Sequence, residues 1–274
     1  RLLFDGLGRD SLDGSGGTLT ATVHWNDPIC PNAIWNGNQI ALCNGLATDD
    51  VIAHEFAHGL TQFTANLIYQ NQPGQLNESY SDIFGETVDL WNGNTSAVGT
   101  PGGTPWPGGT TGGGQDTPNS ARTGCNDGST RWRMGEQTSL NAIRDLWFPE
   151  CFNDPPSTTD PLYNQNACGP FDNGGVHIGS GVFNHSYSML VDGKTYNGQT
   201  VSPIGLTKAA AVYFRALTVY MTSGTAFPQA ETFINQAATD LLNSSPNDPR
   251  TGSPGTLFTQ SDADQVAAAM IAVG

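Results

Sequence analysis

Two histidines one helical turn apart, with a glutamate directly after the first, lie in the stretch "DDVIAHEFAHGLTQ" at positions 49 to 62. Side chains four apart share one face of a helix, so His54 and His58 can reach a single metal ion. Glu55 sits about 100° around the axis, close to that ion without ligating it. The pattern therefore predicts a regular helix from a Thr48 or Asp49 cap to about Ala65, with Asp49 and Asp50 at the positive end of its dipole. An ordinary amphipathic helix accommodates the same residues, and a third ligand separates the two readings. Catalytic zinc takes three protein ligands and an open position, and Glu78, twenty positions after His58, can return to the ion on an antiparallel second helix.

That second helix is legible in "LNESYSDIFGETVDLW" (76 to 91), where Leu76, Tyr80, Ile83, Phe84, Val88 and Trp91 recur at helical spacing before "NGN". Asp82, one turn beyond Glu78, can accept the remaining ring N–H of a ligating histidine. Upstream, "TLTATVHW" (18 to 25) alternates as a strand, and "AIWNGNQIAL" (33 to 42) reads as two short strands around a Trp35-Asn36-Gly37 turn. Downstream, helical patterns cover 138 to 148, 176 to 191, 207 to 221, 227 to 242 and 261 to 273, and 149 to 170 reads as loop. Residues 92 to 130 are dominated by Gly, Pro, Thr and Ser, too poor in apolar side chains to form a core, and read as a surface insertion.

Acidic residues number 25 against 10 basic ones, a formal charge of −15 that repels nucleic acid and anionic membranes. No apolar run is long enough to span a bilayer, and no charged-then-apolar leader stands at Arg1, so an exported protein is expected to have lost its leader already. The five cysteines form no CxxC pair. Short local loops favour disulfides Cys30–Cys43 and Cys151–Cys168, leaving Cys125 over, in an oxidising compartment. Sequons begin at Asn77, Asn94, Asn184 and Asn243, but such short motifs arise by chance and are not read as glycosylation.

The stretch "VIAHEFAHGLTQFTANLIYQNQPGQLNESYSDIFG" closely resembles the thermolysin family of secreted bacterial zinc metallopeptidases, whose third zinc ligand is the Glu of N-E-x-x-S-D. The resemblance extends to "GRDSLDG", "VHW", "NAIWNG", "DNGGVHIGSGVFN" and "YFRALTVYM", nearly the whole chain outside the 92 to 130 and 149 to 170 loops. It implies a two-lobed α+β metallopeptidase, with a reduced β-rich N-terminal lobe carrying the HExxH helix in 1–69. A mainly α-helical C-terminal lobe with Glu78, Arg144 and His177 would occupy 70–274. It also implies roles: His54, His58 and Glu78 bind one catalytic zinc, Glu55 is the base toward water, and Tyr69 and His177 stabilise the oxyanion. Asp172 orients His177, Asn77 and Asp82 support the zinc histidines, and Arg144, Asn32 and the Ala33 backbone hold an extended peptide. Val51 and Ile143 line an apolar pocket, favouring cleavage on the amino side of large hydrophobic residues. His24 and His185 receive no role beyond structure.

Family members also bind structural calcium, and the matching acids are Asp50, Asp89 and Glu136. Arg131 and Arg133 stand where the family commonly has acids, so one calcium at most is expected, a guanidinium partly replacing a second cation. "LCNGLATDD" is shorter than the usual connection to the zinc helix, altering one pocket wall. Most of the family's N-terminal lobe is missing ahead of "RLLFDGLGRD", so the lobe is either reduced or contributed by a segment that processing separates. The expected protein is a secreted zinc endopeptidase made as a zymogen, acting on proteins and peptides, with its own propeptide as a further partner. The alternative is a noncatalytic extracellular scaffold that keeps the zinc-stabilised fold.

Overall fold

A computed structural model describes residues 2–92, 122–166, 169–249 and 251–274, for residues 92 and 164–166 the backbone alone. Most of the 92–130 insertion, the Asn94 sequon and Cys168 lie outside the described residues. The N-terminal region forms one small sheet in the order β1-β3-β2, from β1 (Ala21–Trp25), β2 (Ala33–Trp35) and β3 (Ile40–Cys43). Strand β3 is parallel to β1 and antiparallel to β2, with Ala33 opposite Leu42 and Trp35 opposite Ile40. All four residues of β3 are buried, as the central position of an apolar "IALC" strand requires.

Helix α1 (Asp49–Gln62) follows Thr48, whose extended backbone ends the approach to the helix. After a short connection comes α2 (Asn71–Asn92), which starts five residues earlier than the apolar pattern indicated because Pro73 is tolerated in a first turn. Helix α2 contacts α1, α4 (Asp172–Gly179), α5 (Gly181–Asp192), α6 (Leu206–Arg215) and α7 (Phe227–Asp240). Leu76, Tyr80 and Ile83 on its apolar face are wholly buried, each contributing about 1.5 to 3 kcal/mol. Yet Glu78, Ser79, Ser81, Asp82 and Glu86 are buried as well. Polar groups at the centre of a domain are costly unless they are partnered, so this helix is where chemistry is expected. At Gly85 the two helices close to the point where a Cβ would stand 2.8 Å from the Asp50 carbonyl oxygen.

Helix α8 (Gln260–Val273) closes the C-terminal region, capped by Thr259, whose hydroxyl accepts from the Asp262 amide while Asp262 answers at the Thr259 amide. Helix α6 continues into a wider π turn at Ala216–Tyr220. No helix among the described residues is long and apolar enough to cross a membrane.

Three sequence expectations are corrected. The segment 138 to 148 is not a helix: Asn141 adopts a left-handed conformation with φ 62°, and Arg144–Asp145 form strand β5, antiparallel to β4 (Arg133–Met134). Pairing with β4 and burial of both charged side chains override the local helical pattern. Cys151 bonds Cys125 rather than Cys168, while Cys30–Cys43 forms as expected. Around the Cys125–Cys151 bridge, Arg122 forms an ion pair with Asp145 and Arg133 donates to the Cys125 carbonyl, contacts that sequence separation alone does not reveal. The segment 149 to 170 also holds helix α3 (Pro161–Asn166).

Candidate active site

Adjacent turns of α1 place the Nε2 atoms of His54 and His58 3.1 Å apart. Helix α2 brings Glu78 against both, with Oε2 3.5 Å from His54 Nε2 and Oε1 3.4 Å from His58 Nε2. The far side of each ring is held. Asp82 Oδ1 lies 2.9 Å from His54 Nδ1, and Asn77 Oδ1 lies 2.8 Å from His58 Nδ1 with Ser81 Oγ at 3.0 Å. Because Asn77 Nδ2 donates to the Leu67 carbonyl, its oxygen must face His58. A proton on Nδ1 of each ring would answer these acceptors and leave Nε2 to a metal. The buried Glu78 Oε2 has no hydrogen-bond partner, and two nitrogens with one carboxylate form a donor set suited to zinc. The residues present therefore fit the metal.

Electrostatics agree. Burial works against the Glu78 carboxylate, but His58, His177 and His54 outweigh it and hold its pKa at about 2. Asp82 is likewise kept ionised against burial by Arg144, whose guanidinium donates to it from Nε at 2.7 Å and Nη2 at 2.6 Å. Burial would lower the His54 pKa, yet Asp82 and Glu78 raise it.

These groups open into a cleft of about 540 Å³. Glu55 reaches it from α1, Ala33 and Trp35 line it from β2, the outer strand opposite β1, and Asn32 lines it from just ahead of that strand. Trp35 Nε1 donates to Gln62 Oε1 at 2.8 Å, tying that strand to α1. Val51 and Ile143 share an apolar wall with Leu46, Met134 and Leu140, beside Arg144.

On the opposite rim, the first turns of α4 run through four consecutive left-handed residues, Asp172 (φ 52°), Asn173 (φ 51°), Gly174 (φ 89°) and Gly175 (φ 70°). Only glycine has room at Gly174, where a Cβ would stand 2.2 Å from Asn71 Oδ1. This reversed turn folds Asp172 back onto His177: Oδ1 meets Nδ1 at 2.6 Å, and Oδ2 accepts the backbone amide at 2.9 Å. His177 Nε2 then points into the cleft, 3.3 Å from the Tyr69 hydroxyl and 3.4 Å from Glu78 Oε1. The Tyr69 hydroxyl itself donates to Glu78 Oε1, and burial followed by the Glu78 charge raises its pKa strongly.

A second group of acids lies behind α1. Oxygens of Asp50, Glu86 and Glu136 fall within 4.8 Å of one another, and the Asp89 charge helps raise the Glu86 carboxyl. Buried Glu86 Oε1 and Asp89 Oδ1 have no hydrogen-bond partner. Arg131 is within electrostatic reach of Asp89, but its Nε and Nη2 donate to Asp192 at 2.6 and 2.7 Å, and Arg133 serves Asp127 and the Cys125 carbonyl. Sequence reasoning overlooked Glu86. The signal was present, because Glu78, Asp82 and Glu86 repeat every four residues along one helix face. Asn184, Ser79, Ser81 and Gln62 carried no comparable signal. His185, assigned no role, is buried and neutral, its pKa lowered to about 3 by burial and by Lys194.

Comparison with known proteins agrees with this geometry. The family model described as "Thermolysin metallopeptidase, alpha-helical domain" matches residues 65–250, and "Thermolysin metallopeptidase, catalytic domain" matches residues 2–62. The chain is 36% identical to a zinc metalloproteinase of Renibacterium salmoninarum over 77% of this chain and 35% of that protein. It is 34% identical to bacillolysin of Bacillus cereus over 85% of this chain and 36% of that protein. It thus spans little more than a third of the length of these curated relatives. The solved precursor of protealysin, a metalloproteinase from Serratia proteamaculans, has a like fold, with a TM-score of 0.67 at 23% identity, covering 100% of this chain and 74% of that one.

Proposed function

The chain belongs to the thermolysin metallopeptidase family, and on that premise we propose that it is a secreted zinc-dependent endopeptidase. The observation that carries this reading is the convergence of His54, His58 and Glu78 at the floor of a cleft that also holds Glu55. Zinc held by those three ligands supplies a Lewis acid for the peptide carbonyl and for water. Glu55 accepts a proton from the attacking water and passes it to the departing amine. His177, oriented by Asp172, and the Tyr69 hydroxyl donate toward the oxygen on which negative charge develops. For Tyr69 this means exchanging its Glu78 contact for the substrate.

An extended peptide adds along β2, pairing with the Ala33 backbone and the Asn32 side chain, while Arg144 holds a substrate carbonyl. The apolar wall of Val51, Ile143, Leu46, Met134 and Leu140 favours a large hydrophobic residue on the carboxyl side of the cleaved bond. Two disulfides suit an oxidising, extracellular setting, and a propeptide is the expected partner before activation. Asp50, Asp89 and Glu136, joined by Glu86, form the seat for one calcium ion. Buried Glu86 Oε1 and Asp89 Oδ1, which lack hydrogen-bond partners, suit a hard cation.

The deciding experiment measures zinc content and peptide hydrolysis for the parent and for Glu55→Ala. The expected result is one zinc per chain in both and hydrolysis in the parent alone. Hydrolysis at the parent rate in a zinc-loaded Glu55→Ala protein refutes the mechanism, and inactivity of both with zinc bound favours the scaffold.

A further inference from the structure

Asn184 stands on α5, outside the helices that carry the metal ligands, and is 1% exposed. Its two side-chain atoms are committed to α2: Nδ2 donates to Asp82 Oδ2 at 2.8 Å, and Oδ1 accepts from the Ser79 hydroxyl at 2.8 Å. The amide cannot be reversed, since a flip would set its oxygen against the Asp82 carboxylate. Asp82 is then saturated. Its Oδ1 faces His54 Nδ1 and takes Arg144 Nη2, while its Oδ2 takes Arg144 Nε and Asn184 Nδ2.

A carboxylate with two inputs from one guanidinium can still swing with it. The Asn184 amide approaches from a third element and, through Ser79, is keyed to the residue next to Glu78. We infer that Asn184 is a positioning residue for the metal site, locking the Asp82 carboxylate so that His54 presents Nε2 and Arg144 keeps its place on the cleft wall. It acts through Asp82 and Ser79 and touches neither substrate nor metal. The same contacts bury the nitrogen that a glycan at the Asn184 sequon would occupy.

The inference rests on the zinc reading, and the test separates them. Zinc affinity is measured by competition with a chromophoric chelator, and the visible spectrum of the cobalt-substituted protein is recorded, for the parent, Asn184→Ala and Ser79→Ala. Failure of the parent to bind one zinc would refute the zinc reading itself. With zinc bound by the parent, Asn184→Ala is expected to bind it about 10- to 100-fold more weakly and to shift the cobalt bands, as loss of an outer partner does. Ser79→Ala should move both readouts the same way by less. A purely structural residue lowers the melting temperature of the zinc-free protein but leaves zinc affinity and cobalt bands at parent values, and that result overturns the inference. Should Asn184→Ala not fold, parent-like affinity and spectrum in Ser79→Ala overturn it.

Discussion

The Asp82 carboxylate grips Arg144 through two hydrogen bonds of 2.6 and 2.7 Å, with Asp82 wholly buried and Arg144 9% exposed. A buried pair of this kind is worth little against water but is expensive to break from one side. Arg144→Met is therefore expected to destabilise the zinc-loaded protein by about 3 to 5 kcal/mol, because it leaves the Asp82 charge uncompensated. Arg144→Lys should not rescue it, since an ammonium cannot reproduce the fork. Denaturant unfolding checks both, and a loss below about 1 kcal/mol for Arg144→Met would place the Asp82 charge elsewhere.

His177 reaches the cleft from a different element than the zinc ligands, so its removal should separate binding from turnover. His177→Phe is expected to lower kcat by about 10² to 10³ while zinc stoichiometry holds. Turnover within a few-fold of the parent would deny it an oxyanion role.

The carboxylates behind α1 give the fold a pH dependence. Burial raises the Glu136 carboxyl to about 8, and burial with mutual repulsion raises Glu86 and Asp89 well above the ordinary range. A carboxyl whose folded pKa exceeds its unfolded value of 4.5 contributes stability that is fully present below 4.5 and lost as pH rises through about 8. Without calcium, the melting temperature of the zinc-loaded protein should include a fall across that window. Added calcium, which favours the ionised acids, should raise the melting temperature more at about pH 8 than at about pH 5. Equal shifts at both pH values would count against a cation at this cluster.

Cys125–Cys151 closes a longer loop than Cys30–Cys43, with sequence separations of 26 and 13. Replacing Cys125 and Cys151 with serine is expected to cost about 3 to 4 kcal/mol on chain-entropy grounds. Peptide mapping without reductant should recover Cys125 crosslinked to Cys151. A Cys151–Cys168 peptide would contradict that connectivity.

Some of the fold and site could be read directly because the information is local. The two-strand turn at Trp35, α1 with its paired histidines and the apolar stripe of α2 all depend on residues within a few positions of one another. Arg144 illustrates the opposite case: its segment carries a helical pattern, yet β4 and buried Asp82 claim it as a strand. Glu86 lay in plain view on the Glu78 face, but nothing in its neighbourhood says that Asp50 and Glu136 meet it.

The sequence alone determined the helix that pairs His54 with His58 and a second helix carrying Glu78 and Asp82 on one face, since 3.6-residue periodicity converts spacing into direction. Only the tertiary structure decided that α2 would be buried on its polar side as well, that Cys151 would meet Cys125, and that Asn184 from α5 would complete the grip on Asp82. Those outcomes depend on which elements pack together over separations of 26 to 102 residues. Burial and ion pairing between distant segments select among pairings that local propensity leaves equal.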